Sequence, residues 1–171
     1  WINSKYFDPN DKFAPIFLYI CGEYTCSIRD DRLYPFMVGA SQGALLTALE
    51  HRFYGKSHPF QDLQTSNLEF LSSEQALQDI KSFLQWYYEI RPFKKVVLVG
   101  CSYAGGLVGW YAENNSQLMQ DGTGEARGYK VAAWSSSGVM RPLEEFWGFD
   151  ESIYQQLVKS GVDCVQLAQA L

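Results

Sequence analysis

The stretch Lys95-Val96-Val97-Leu98-Val99-Gly100-Cys101-Ser102-Tyr103-Ala104-Gly105-Gly106 decides how this chain folds. Its first half is an apolar run of branched residues, the pattern of a strand buried on both faces of a parallel sheet. Its second half sets small residues around one serine, and a helix follows through Leu107, Val108 and Tyr111. A buried strand, a tight turn with Ser at its apex and an immediate helix form the setting of a nucleophile elbow. Small neighbours are needed because strand and helix backbones approach closely and the Ser itself is strained. The G-x-S-x-G spacing is met at Gly100 and Ser102, with Ala104 in the fifth position and Gly105 after it. Neither of the glycine-rich phosphate signatures, G-x-G-x-x-G and G-x-x-x-x-G-K-[ST], is present.

Working outward, three further short apolar runs read as strands, at residues 15–21, 44–49 and 129–135. The clearest helix lies between the second and third strands in chain order. Ser72 caps it, Gln75 completes a capping box, and Ala76, Leu77, Ile80, Phe83, Leu84 and Tyr87 make one apolar stripe before Pro92 ends it. Residues 114–128, rich in Asn, Gln, Gly and Asp, read as an exposed loop or insertion. Strands alternating with helices predict an α/β domain with a mostly parallel sheet over residues 1–149. From about Asp150 the pattern becomes helical alone, so residues 150–171 read as the start of a separate helical element. The chain opens on Trp1 and is still helical in pattern at Leu171, and it reads as the N-terminal part of a longer polypeptide.

Composition bounds the function. Of 171 residues, 47% are apolar and 19% charged, and the formal net charge is −5, which suits a packed domain and not a disordered one. There are 5 Trp, 11 Tyr and 11 Phe to fill a core. No Lys/Arg cluster exists, so neither nucleic acid nor an anionic membrane is an expected partner. The uncharged stretch 34–49 is too short and too interrupted by Pro35, Gly39 and Gly43 to span a bilayer.

A Ser at such a turn stands above the C-terminal edge of the sheet, with the Tyr103 backbone N–H facing a developing oxyanion. A second N–H is expected from the loop after the first strand, where Glu23 follows Gly22. The base is withheld. Asp121, Asp150 and Asp163 follow Ser102, but no His does. His51 directly follows a strand and reads as a structural residue bonded to loop backbone, and His58 as an exposed loop residue. The chain therefore carries the nucleophile without the rest of a triad. With two imidazoles and no C-x-x-C pair, no structural metal site is expected, and no cofactor. Four cysteines allow three pairings; Cys21 and Cys26 are close enough in sequence to bridge, and Cys101 reads as a buried free thiol. Asn114-Asn115-Ser116 is a glycosylation acceptor if the protein is secreted.

Residues 50–57 (Glu-His-Arg-Phe-Tyr-Gly-Lys-Ser), residues 71–79 (Leu-Ser-Ser-Glu-Gln-Ala-Leu-Gln-Asp) and Gly100-Cys101-Ser102-Tyr103-Ala104-Gly105 together resemble the S28 family of serine peptidases. The segments 18–23, Ser135-Ser136-Ser137-Gly138, Glu145-Phe146-Trp147 and Val162-Asp163-Cys164 extend the resemblance, in order, over nearly the whole chain. It implies an α/β-hydrolase fold interrupted by a helical cap, with cleavage after proline near a chain end. By position Ser102 matches the family nucleophile, while the acid and base have no counterparts here. Cys164 would lie where the cap begins and pair with a cysteine further along. The family is lysosomal or secreted, in keeping with disulfides and the Asn114 acceptor. Departures are Cys101 where Gly is common, Tyr24 where the first loop usually carries Gly, and the longer polar stretch 114–128. The implied partner is a peptide with proline at the cleavage site; a homodimer is left open. An esterase or lipase on the same fold is the alternative, since the elbow does not specify amide or ester. A catalytically inactive, peptide-binding homologue is the other.

Overall fold

The computed structural model describes residues 1–27, 32–120, 128–161 and 166, with residues 115–120 described as backbone alone. They fall into two compact units, Trp1–Met140 and Arg141–Leu171. The first unit is built, in chain order, from β1 (Ile2–Asn3), β2 (Ile16–Ile20), α1 (Tyr34–Ser41), β3 (Leu45–Leu49), α2 (Thr65–Leu68), α3 (Ser73–Ile90), β4 (Lys95–Cys101), α4 (Tyr103–Gln120) and β5 (Lys130–Ser136). The strands form one sheet in the order β1-β3-β2-β4-β5. Strands β2 to β5 are parallel, and β1 adds an antiparallel edge to β3. The mixed α/β architecture with a mostly parallel sheet is as the alternation of apolar runs predicts. The second unit contains α5 (Trp147–Ser160), on which no residue is buried.

Alternate residues of the strands feed two cores. Ile16, Leu18 and Ile20 of β2, Leu45 of β3, and Val96 and Leu98 of β4 pack with Ala76, Ile80, Leu84 and Tyr87 of α3 and with Leu107, Val108 and Tyr111 of α4. On the other face Phe17, Leu46 and Val99 pack with Phe36 of α1 and Ala44. Period-2 alternation with apolar residues on both faces is the signature of a sheet covered by helices on both sides.

Two elements differ from expectation. Helix α1 arises in a stretch holding Pro35 and Gly39, but the proline sits in the first turn, where its missing N–H is not needed. Its apolar residues circle the helix and leave no stripe to detect. Helix α4 runs to Gln120 through the stretch expected to be a loop from residue 114. Between Glu113 and Gln120 there is no Gly or Pro, and Asn, Gln and Ser each cost at most about 0.7 kcal/mol in a helix that packed residues have already nucleated. Residues 121–127, with Asp121, lie outside the described residues, as do Asp163 and Cys164.

The turn from β4 into α4 admits no side chain at Gly100. A Cβ there would lie 2.5 Å from the Ala104 carbonyl carbon and 2.9 Å from the Gly105 amide nitrogen, both backbone atoms that cannot step aside. Residues 50–57, after β3, fasten three neighbours. Glu50 accepts hydrogen bonds from the Cys26 N–H at 3.0 Å, the Lys56 N–H at 2.9 Å and the Ser57 hydroxyl at 2.8 Å. Arg52 forms a fork on Asp79 of α3, Nε at 2.6 Å and Nη2 at 2.7 Å, and its Nη1 donates to the Phe70 carbonyl and to Gln75 Oε1. Ser72 caps α3 by accepting the Gln75 N–H at 3.2 Å, but the Gln75 side chain turns to the guanidinium, so the capping box is half formed. Cys21 and Cys26 are disulfide-bonded.

Two outcomes follow. Gly100→Ala forces strand and helix apart and should destabilise the full-length protein by about 3 kcal/mol or more, read from the denaturant midpoint. Burial opposes ionisation of Glu50, but the Ser57 hydroxyl and the Cys26 and Lys56 amides outweigh it and hold the carboxyl below its ordinary value. That stabilisation is fully present above the unfolded carboxyl pKa of about 4.3 and is lost as pH falls through the folded value. Glu50→Gln should therefore lower stability at pH 7 and flatten its decline below about pH 4.3, measured by denaturation at stepped pH.

Candidate active site

Ser102 stands between β4 and α4 in the left-handed region, at φ 57°. A non-glycine residue there costs about 1–3 kcal/mol and persists only where its surroundings impose it. The surroundings are visible. The Ser102 N–H donates to the Ser136 carbonyl at 3.0 Å, and the Ser102 carbonyl accepts from the Gly106 N–H at 3.1 Å. Ser136 ends β5, and the turn after it interlocks with the first turn of α4. A Cβ on Gly105 would lie 2.8 Å from the Ser136 carbonyl oxygen and 2.9 Å from Gly138 Cα. The run Ser135-Ser136-Ser137-Gly138 thus braces the elbow from the neighbouring strand. Nothing in its own periodicity signals this. Ser102 is exposed at the C-terminal edge of the parallel strands, where open α/β sheets bind ligands.

Tyr103 is the first residue of α4, so its N–H has no intrahelical acceptor and lies at the positive end of the helix dipole. Its hydroxyl lies 3.3 Å from His51 Nε2 and 3.2 Å from Ser73 Oγ. Burial pushes the Tyr103 phenol up; the Ser73 hydrogen bond pulls the other way, and the charges of Glu23, Tyr54 and Glu74 add to the rise. Glu23 is exposed in the tight turn after β2, in which the Tyr24 N–H donates to the Gly22 carbonyl at 2.8 Å. This turn borders the elbow, since a Cβ on Gly22 would lie 4.0 Å from Ala104 Cβ. Tyr24 folds over Gly22, and its hydroxyl donates to that of Tyr19 at 3.4 Å. Burial keeps the Tyr19 phenol neutral well above the ordinary tyrosine range.

Glu23, His51, Tyr54, Ser73 and Tyr103 share a polar cavity of about 260 Å³ beside the elbow. A larger one, about 630 Å³, is lined by Phe7, Ile16, Leu45, Arg91 and Phe93 at the opposite end of the strands, away from Ser102.

His51 is buried and bonded to loop backbone, its Nδ1 2.8 Å from the Arg52 carbonyl, and His58 is exposed. Cys101 is a free thiol, as read from the sequence, but it is exposed and not buried. It is the last residue of β4, one pleat beyond Val99 and past the packed layer on that face. Asn114 is exposed on α4. Ser73, which the sequence reading used only as part of a resemblance, joins the site through Tyr103. Among the described residues no group of three or more His, Cys, Asp or Glu stands close enough to hold a metal ion, and no helix is long and apolar enough to cross a membrane.

A family model described as serine carboxypeptidase S28 matches residues 1–170. The probable serine protease EDA2 of Arabidopsis thaliana is 34% identical over 176 residues, covering 94% of this chain and 33% of that protein. The thymus-specific serine protease of Homo sapiens is 30% identical over 166 residues, covering 95% of this chain and 30% of that protein. A probable extracellular serine carboxypeptidase of Arthroderma benhamiae is 33% identical over 129 residues, 71% of this chain and 16% of that protein. The chain spans about a third or less of the length of these curated relatives. With its elbow between β4 and α4 and a family match that runs from end to end, the chain belongs to the serine carboxypeptidase S28 family.

Proposed function

We propose that this chain is the nucleophile-bearing part of a serine-type exopeptidase that hydrolyses peptide bonds after proline near a chain terminus. One observation carries the reading: an exposed serine at positive φ, held between a parallel strand and a helix N-terminus, in a chain of the S28 family. In this reading Ser102 Oγ attacks the acyl carbon and its proton passes to a histidine supplied by sequence beyond Leu171, oriented by an aspartate from the same region. The oxyanion accepts hydrogen bonds from the Tyr103 and Glu23 N–H groups. The tetrahedral adduct then collapses, the C–N bond breaks, and the amine leaves with the proton. Water, deprotonated by the same histidine, releases the acid and regenerates Ser102.

The names of the relatives, serine proteases and an extracellular serine carboxypeptidase, support peptide over ester as substrate. The fold in this reading is an α/β-hydrolase domain, residues 1–149, with a helical cap beginning near Asp150. The protein is lysosomal or secreted, glycosylated at Asn114, and needs no cofactor. Residues 1–171 by themselves, lacking a histidine after Ser102, hydrolyse nothing measurable.

Fluorophosphonate labelling of the full-length protein, with turnover of a Pro-containing peptide and of a short acyl ester, tests the reading. Ser102→Ala should abolish labelling and lower kcat on the order of 10⁶-fold, to background. Labelling that survives in Ser102→Ala overturns the assignment. Preference for the ester replaces peptidase by esterase, and a wild-type protein inert to all three probes makes it a binding homologue.

A further inference from the structure

His51 Nδ1 lies 2.8 Å from the Arg52 carbonyl oxygen, and a carbonyl only accepts. The proton of the neutral ring is therefore on Nδ1, and Nε2 is left as an acceptor. The Tyr103 hydroxyl, 3.3 Å away, must then be the donor. Having given its proton to His51, its oxygen accepts from Ser73 Oγ at 3.2 Å. One direction runs through the set: Ser73 to Tyr103, Tyr103 to His51, His51 to backbone.

The participants come from three elements. His51 follows β3, Ser73 begins α3, and Tyr103 begins α4. The His51 ring also stands edge-on to the rings of Tyr103, at 5.5 Å, and Tyr54, at 5.4 Å. His51 is 5% exposed and is fixed at both nitrogens, so it is a rigid post. Tyr103 is tethered to that post by its side chain while its N–H points from the first turn of α4 beside Ser102.

We propose that His51 and Ser73 are positioning residues of the peptidase: they hold the Tyr103 hydroxyl, and through it the N–H that receives the oxyanion. The inference rests on the nucleophile assignment of Ser102. A buried histidine of this chain is thus recruited to the reaction without touching substrate or exchanging a proton with it. Loosening the tether leaves the N–H in place but poorly aimed. The loss therefore falls below the 10²–10³-fold typical of removing an oxyanion donor, and appears in kcat and not in KM.

The experiment uses the full-length protein, with active sites counted by fluorophosphonate titration. Tyr103→Phe keeps the ring and its packing and deletes only the hydroxyl. We expect kcat per titrated site to fall about 10-fold or more with KM within about twofold, and the second-order labelling rate to fall with kcat. His51→Leu should fall similarly, and His51→Gln, which restores an acceptor, should recover part of the loss. If Tyr103→Phe keeps wild-type kcat per titrated site while its melting temperature drops, the cluster is structural and the inference fails. That outcome is separate from failure of the nucleophile assignment, which shows as labelling of Ser102→Ala. Should His51→Leu not fold, Tyr103→Phe decides alone.

Discussion

Everything at the C-terminal edge of the sheet depends on how closely β4 approaches the first turn of α4. With no side chain at Gly100, the strand meets the helix backbone directly, and only then can Ser102 span the gap in a single residue. The left-handed conformation of Ser102 is the consequence, not an independent feature. Its N–H bond to Ser136 and the fit of Gly105 against Gly138 hold that conformation from the side. An alanine in the fifth motif position is tolerated because Ala104 points its methyl into the core, where it is 1% exposed, and towards Gly22.

Residues 50–52 show how three adjacent polar side chains serve three different elements. Glu50 turns back on the loop after β2, His51 reaches α4, and Arg52 reaches α3. No periodicity predicts such a divergence, because consecutive residues leaving a strand no longer alternate between two faces. The Arg52–Asp79 fork is partly buried and shares its guanidinium with a carbonyl and an amide, which lifts it above an ordinary surface ion pair.

What was legible in the sequence followed from patterns long enough to repeat. The four parallel strands lie within one residue of their expected ends because short, mostly apolar runs set between polar, Gly- or Pro-containing segments have few other homes. The turn at Ser102 was legible because its neighbours are small. Strand β1, of two residues, is too short to alternate, and α1 is apolar on all sides. The polar end of α4 misled because composition resembling a loop is not a helix breaker. The exposure of Cys101 could not be read either: a strand's alternation tells which face a residue takes, but not where the packed layer stops. The cluster of His51, Ser73 and Tyr103 joins residues 52 and 30 positions apart, and only the folded topology brings them together.

The turn that carries Glu23 is closed into a small ring. Cys21 is anchored to β3 through its N–H on the Leu49 carbonyl, the disulfide joins it to Cys26, and the Cys26 N–H is held by Glu50. A cycle fastened at both ends keeps its backbone course with little help from the side chains on its rim. That explains how position 24 can carry a tyrosine, which lies outward across Gly22 towards Tyr19. Variation on the rim can then reshape the surface around the turn while the backbone beneath it keeps its course.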